Sequence, residues 1–186
     1  MPRRRASLRS QWWKDYFASF KYCFQCGGKL VRRYVKEEMK RRHVCVRCAA
    51  ITYLNPKVVA GLIPVMPDGR LALLRRNIEP ALGRWSYPAG FQEMGESVST
   101  AAVRETFEEI ATRVRVGPLI GIYSYPDAGV VTIVYSGRVL RGEKPRMGQE
   151  AKEVGLFRWS EIPWKDLAFR STADALRDWK KQKLRS

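Results

Sequence analysis

The sequence predicts an α/β domain preceded by a small module built on four cysteines. Three observations carry that prediction. Cys23-Phe-Gln-Cys26 and Cys45-Val-Arg-Cys48 are two CxxC pairs separated by 18 residues, the spacing of a Cys₄ metal knuckle pair closed by a hairpin. Beyond Pro56, β-branched and aromatic runs at 58–65, 71–74, 114–125, 129–140 and 154–159 read as strands divided by turns such as Pro67-Asp-Gly69 and Pro126–Gly129. Between them, residues 98–112 have helical periodicity, and a second helix is expected from about Thr172, with Ala173, Leu176 and Trp179 at core spacing and a basic last turn.

The chain has 186 residues, 45% of them hydrophobic, enough for one full-sized domain plus a small module. Its formal net charge is +17, unevenly spread. Residues 1–60 carry 15 Lys/Arg against 3 Asp/Glu, or +12, and the remainder 20 against 15, or +5. Such a segment attracts phosphate polyanions, so nucleic acid and anionic nucleotides are both expected partners, with solubility the plainer explanation. No run of apolar residues approaches a membrane span, and the arginine-rich start lacks the apolar stretch of a secretory signal, so a cytoplasmic protein is expected.

Residues 1–20 open with Arg3, Arg4, Arg5 and Arg9. Trp13, Tyr16, Phe17 and Phe20 follow at helical spacing, which predicts an amphipathic helix whose aromatic stripe is a packing surface. Residues 21–55 form the cysteine module. Disulfides are the competing account of its four thiols, but a reducing compartment and so small a segment favour a metal staple. With Cys23, Cys26, Cys45 and Cys48 all thiolates and no open position, Zn²⁺ there would be structural. His43 reads as a hairpin residue rather than a ligand. Residues 56–186 make the main domain.

The chemistry concentrates in residues 90–112. Glu105, Glu108 and Glu109 stand at i, i+3 and i+4, so at about 100° per residue they share one helical face, with Val103, Phe107 and Ile110 expected on the opposite, apolar one. Three like charges on one stripe gain nothing in an isolated helix, where a solvated acidic face is the bland account. A hard divalent cation such as Mg²⁺ reverses that penalty, because it takes oxygen ligands and keeps room for substrate phosphates. Ser97 is the expected N-cap, and Ala101 and Ala102 are expected to let the preceding loop approach the helix.

The spacing of Gly90, Glu96, Arg104-Glu105 and Glu108-Glu109, with the lead-in Gly83-Arg-Trp-Ser-Tyr-Pro-Ala-Gly90, resembles the Nudix box. Thr106 stands where that family usually has an aliphatic residue, and Ala111 where it has glycine. The resemblance, extending over about residues 22–182 to zinc-ribbon members acting on FAD and ADP-ribose, implies a mixed sheet sandwiched between helices. It also implies Mg²⁺- or Mn²⁺-dependent hydrolysis of a pyrophosphate bond with release of AMP. Glu105, Glu108, Glu109 and the Gly90 carbonyl would hold the metal, and an Arg104–Glu96 pair would fix loop against helix. Glu150 and Glu153 lie where many relatives place a further metal ligand or a general base, although either fits a solvated loop charge. Related enzymes are often dimers. Residues 121–129, Gly-Ile-Tyr-Ser-Tyr-Pro-Asp-Ala-Gly, lack the Ser-Gln-Pro-Trp-Pro-Phe-Pro-Ser-type signature of NADH pyrophosphatases, which argues against NADH and, less firmly, against NAD-capped RNA. The rival expectation is a non-catalytic or RNA-directed module held by the basic N-terminal third.

Overall fold

The computed structural model describes residues 18–185, and the helix expected around Trp13, Tyr16 and Phe17 lies outside them. The described residues form two compact units. One comprises residues up to Pro56 together with Pro126–Gly129, the other Lys57–Tyr125 and the residues from Val130 onward.

In the first unit β1 (Leu30–Val35), β2 (Lys40–Cys45) and β3 (Ile51–Thr52) form an antiparallel sheet in that order. The β1–β2 reversal is one 3₁₀ turn, Lys36–Glu38, ended by Met39 in the left-handed region at φ 50°. Glu38 holds this hairpin by accepting from Arg42 and from the Tyr53 hydroxyl, each at 2.6 Å. The buried apolar residues of this unit's cluster are Cys23, Leu30 and Cys45, with Cys26 and Ala50 packed against them. That core is too small to hold a sheet without a further staple.

The second unit contains β4 (Lys57–Val65), β5 (Leu71–Arg76), β6 (Trp85–Ser86), β7 (Ala89–Phe91), α1 (Val98–Ile110), β8 (Val114–Ser124), β9 (Val130–Val139), β10 (Ala151–Phe157) and α2 (Arg170–Lys183). The sheet runs β10-β5-β4-β9-β8, with β6 beside β5 and β7 beside β4. It is mixed, because β4 and β9 pair in parallel while the remaining pairs are antiparallel. The apolar run of β4 explains its central place, since both its faces are covered. Ala60 and Leu62 point to the side where α1 packs with Ala101 and Ala102, joined by Val114 and Val139. Ile63 points to the side where Leu73, Ile120 and Val134 meet Ala175, Leu176 and Trp179 of α2. The result is the expected sandwich of a mixed sheet between helices.

Two local expectations are corrected. Phe107 is exposed, and the buried positions of α1 are Ala101, Ala102, Thr106, Glu109 and Ile110. The helix therefore presents its small residues to the sheet, and Ala101 and Ala102 admit the sheet rather than the preceding loop. Thr106 tolerates full burial because its hydroxyl donates to the Ala102 carbonyl at 2.7 Å.

Both ends of α1 are set by sequence. The Ser97 side chain accepts the Thr100 N–H at 3.1 Å, a standard N-cap. At the other end Ala111 closes the helix at φ 47°, ψ 42°, a conformation that disfavours any Cβ. The structure thus supplies the reason for a glycine at this place. Ala111→Gly is expected to stabilise the protein by about 1 kcal/mol, the left-handed strain of alanine less the greater unfolded-state freedom of glycine. A thermal melt should rise by roughly 2–4 °C, and an unchanged or lower melting temperature would refute the strain.

Candidate active site and cysteine cluster

β7 and the second half of α1 face each other. Gly90 lies opposite Ala60 in the sheet, and a Cβ built on it would overlap the Glu105 carboxylate, so any larger residue would push that carboxylate from its place. The Ala89 N–H donates to Glu109 Oε2 at 2.8 Å. The loop between β7 and α1 is tied down by Arg104, whose guanidinium reaches Glu96 at 2.7 Å, Glu105 at 2.9 Å, Glu108 at 3.0 Å and the Phe91 carbonyl at 3.0 Å. Glu96 also accepts the Glu93 N–H at 2.7 Å. Arg104 and that N–H hold the Glu96 carboxyl below the usual range. Beside this loop opens a cleft of about 490 Å³, lined by Lys57, Val58 and residues 91–96.

The three helix carboxylates share a side of α1 but occupy different environments. Glu108 is exposed and bound to Arg104. Glu105 is mostly covered, and burial raises its carboxyl pKa against the opposing pull of Arg104. Glu109 is 4% exposed. Burial pushes its pKa up from 4.5 to about 8, with the Ala89 N–H and Arg76 opposing and Glu105 and Glu150 adding to the rise. Among the described residues only the four cysteines, and not Glu105, Glu108 and Glu109, form a group of ligand atoms close enough to hold one ion. Arg104 engages Glu105, which lies against Gly90, and the exposed Glu108, while Glu109 turns in toward Ala89.

The glutamates beyond the helix separate. Glu150 lies close enough to raise Glu105 and Glu109 electrostatically, and its carbonyl accepts the Asn77 N–H at 2.9 Å. Glu153 pairs with Arg75, its cross-strand neighbour, at 3.4 Å, both about half exposed. Residues 142–148 seal the end of α1, with Arg146 N–H donating to the Ile110 carbonyl and Gly148 N–H to the Glu109 carbonyl, each at 2.9 Å.

Arg76 was not anticipated. It is 9% exposed, donates to the Pro80 carbonyl at 2.9 Å, and lies with its guanidinium 5.2 Å from the Phe169 ring centre. Burial lowers its pKa, opposed by the charges of Glu109, Glu150 and Glu79. One signal was available: in a strand, consecutive side chains alternate faces, so Arg75-Arg76 cannot both point to solvent on the same side.

The one donor of this set that Arg104 leaves open suits a divalent cation. Glu109 Oε1 is buried with no protein hydrogen bond among the described residues, an expensive state for a carboxylate unless an ion or a proton occupies it. A carboxyl with its folded pKa raised to about 8 holds a proton that the unfolded chain has lost above 4.5. Its stabilising contribution is therefore complete below about pH 4.5 and is lost as the pH rises through about 8. The metal-free protein is expected to lose stability relative to Glu109→Gln across that window, whereas excess Mg²⁺, which binds the ionised form, should reverse the trend. Melting temperatures of both proteins between pH 5 and 8.5, with chelator and with Mg²⁺, check this; parallel curves would refute it.

In the first unit the cysteine Sγ atoms all lie within 4.8 Å of one another. Cys26 is 3.3 Å from Cys48 and 3.4 Å from Cys45, and Cys23 is 3.8 Å from Cys48. Zn–S bonds of about 2.3 Å in a tetrahedron require sulfur separations near 3.7 Å, so the cluster fits one such ion. All four thiols are free of disulfides. Gly28 N–H donates to Cys26 Sγ and Arg47 N–H to Cys45 Sγ, each at 3.4 Å. The backbone N–H groups of Cys48 and Arg47 lower the Cys45 thiol, while the neighbouring thiols and burial push Cys48 up against the Ala50 N–H, so the crowded sulfurs divide their protons unequally. His43 sits on β2 outside the cluster.

The family profile described as NUDIX domain matches residues 55–179. The chain belongs to the Nudix family. The profile described as Nudix N-terminal, a zinc ribbon, matches residues 21–54. An ADP-ribose pyrophosphatase of Methanocaldococcus jannaschii is 35% identical over 154 residues, 77% of this chain and 88% of that protein. An NAD-capped RNA hydrolase NudC of Chromobacterium violaceum is 27% identical over 164 residues, 88% of this chain, which spans only 59% of that protein's length. The crystal structure of a Nudix hydrolase from Nitrosomonas europaea superposes with a TM-score of 0.82 at 37% identity, covering 89% of this chain and 93% of that one. This Nudix protein is accordingly a hydrolase of pyrophosphate bonds. No helix among its described residues is long and apolar enough to cross a membrane.

Proposed function

We propose that this Nudix hydrolase is a divalent-cation-dependent pyrophosphatase of small nucleoside diphosphate derivatives, with ADP-ribose its preferred substrate. The observation that carries the site is the buried, unpartnered Glu109 oxygen beside Glu105 and Gly90. What favours ADP-ribose is the relative of that activity, matched over most of both chains. Glu105, Glu108, Glu109 and the Gly90 carbonyl would hold Mg²⁺ or Mn²⁺. When bound, the cation neutralises the diphosphate and lowers the pKa of the attacking water.

The chain's own residues do the rest. Arg104 and Glu96 hold the loop that shapes the cleft, and Arg76 places a fixed positive charge near Glu109 and Glu150. Glu150 is the candidate base that takes the proton from water, ahead of Glu153, which is tied to Arg75. Water adds across the P–O–P linkage, giving AMP and a second phosphorylated product. Zn²⁺ at Cys23, Cys26, Cys45 and Cys48 is structural.

The test is turnover of ADP-ribose, FAD, NADH, a dinucleoside tetraphosphate and NAD-capped RNA with Mg²⁺ or Mn²⁺. Metal-dependent AMP release from ADP-ribose, with kcat/KM about tenfold or more above the others, is expected. A preference for FAD or NAD-capped RNA would replace the substrate, and the absence of turnover on all five would remove the catalytic reading.

A further inference from the structure

The cysteine module carries more charge than a structural staple requires. Residues 21–56 hold nine Lys/Arg against two Asp/Glu, a net +7. Of those nine cations, only Arg42 forms an ion pair with a carboxylate among the described residues. An ordinary solvated surface intersperses both signs, because unscreened like charges destabilise a small sheet.

The register places much of this charge on one side of the pleat. Lys29, two residues before Val31, and Arg33 share a side of β1, and Arg33 pairs with Arg42, which shares that side with Lys40 on β2. Directly opposed like charges such as Arg33 and Arg42 cost stability, relieved here by Glu38 on Arg42. Two exposed aromatic rings accompany the cations. Tyr22, 65% exposed, lies opposite Lys29 in an antiparallel bridge. Tyr53, 54% exposed, has the Arg42 guanidinium 5.2 Å from its ring centre and its hydroxyl fixed by Glu38. The same juxtaposition thus occurs twice, an open ring beside a cation on a rigid element.

We infer that this face of the module binds a single strand of nucleic acid, with bases stacked on Tyr22 and Tyr53 and phosphates held by Lys29, Arg33 and Lys40. Ring faces accept any base and point charges accept any phosphate, so binding is sequence-tolerant and strongly salt-dependent. The exposed rings are what distinguish this surface from a plain polycation: they have no role in binding a duplex, whose bases are already stacked. The inference is independent of the substrate assigned to the Nudix site, since none of these residues belongs to that site.

The experiment uses the zinc-loaded full chain and fluorescence anisotropy with a labelled twelve-nucleotide oligo-U, its oligo-dT counterpart and a duplex of equal charge, at two or more salt concentrations. Single strands are expected to bind more tightly than the duplex. Tyr22→Ala is expected to weaken single-strand binding about tenfold with little change in the salt slope. Arg33→Ala should lower that slope by about one unit. Tyr22→Leu serves as a second variant, with zinc content and melting temperature confirming that each module is folded. All three variants should hydrolyse the best dinucleotide substrate at the wild-type rate. The relative affinity for oligo-U and oligo-dT identifies the strand, and binding of either on these terms supports the surface. The basic first residues of the chain would bind strands whatever stands at position 22. Unchanged affinity in both Tyr22 variants, equal binding of the duplex, or no binding at low salt would overturn the inference.

Discussion

Replacing Glu109 by glutamine is expected to reduce turnover by roughly several hundred-fold, equivalent to about 3.5 kcal/mol of transition-state stabilisation. Gln keeps the size of the side chain and the acceptor for the Ala89 N–H but removes the charge that a cation requires. The structure also says what should not change. With its pKa raised to about 8, Glu109 is largely protonated at neutral pH in the absence of metal, so the amide resembles the group already present. The metal-free variant should melt at or slightly above the wild-type temperature, while Mg²⁺ should no longer raise it. Steady-state kinetics at saturating Mg²⁺, with melts in chelator, separate the two effects. Wild-type turnover in a folded Glu109→Gln protein would show that the carboxylate does not serve the chemistry.

Cys26→Ser is expected to have the other large effect, on the first unit and its metal. Metal binding to such sites contributes about 10–16 kcal/mol that is at the same time folding free energy. Without it this unit has Cys23, Leu30, Val44 and Cys45 as its buried apolar residues among those described, far short of what fixing its chain costs in entropy. Elemental analysis should find about one zinc per wild-type chain and almost none in the variant. Amide exchange should lose protection throughout β1 and β2, while α1 and the strands of the larger sheet, with their own clusters, keep theirs. A zinc-free preparation with β1 and β2 still protected would show that the four sulfurs do not hold the fold.

Much of the chain was legible because its signals are local. CxxC spacing reports a knuckle, Ser97 reports a helix start, and alternating or continuous apolar runs report strands, each within a few residues. The strand limits moved by only a few positions, as with 154–159 against the observed Ala151–Phe157. The helix periodicity correctly put Glu105, Glu108 and Glu109 on one side of α1. It misjudged Phe107, because periodicity shows which residues share a face but not which face the rest of the protein covers. That was decided by Ala101 and Ala102, whose small size lets the helix settle on β4.

By itself, then, the sequence determined the longer strands and the two helices, the sulfur cluster and the carboxylate stripe, all of which follow from spacing along one segment, whereas the short β6 and β7 read as loop. Tertiary structure decided which carboxylate is buried, since the environment of Glu109 is built from Ala89, Arg76 and Glu150, contributed by separate strands and the loop before β10. It likewise divided Glu150 from Glu153, because β10 pairs with β5 and the bulge between Ala151 and Glu153 sets Glu153 against Arg75 while Glu150 stays beside the helix. Burial and electrostatic coupling depend on groups distant in the chain, and no spacing rule within one segment contains them.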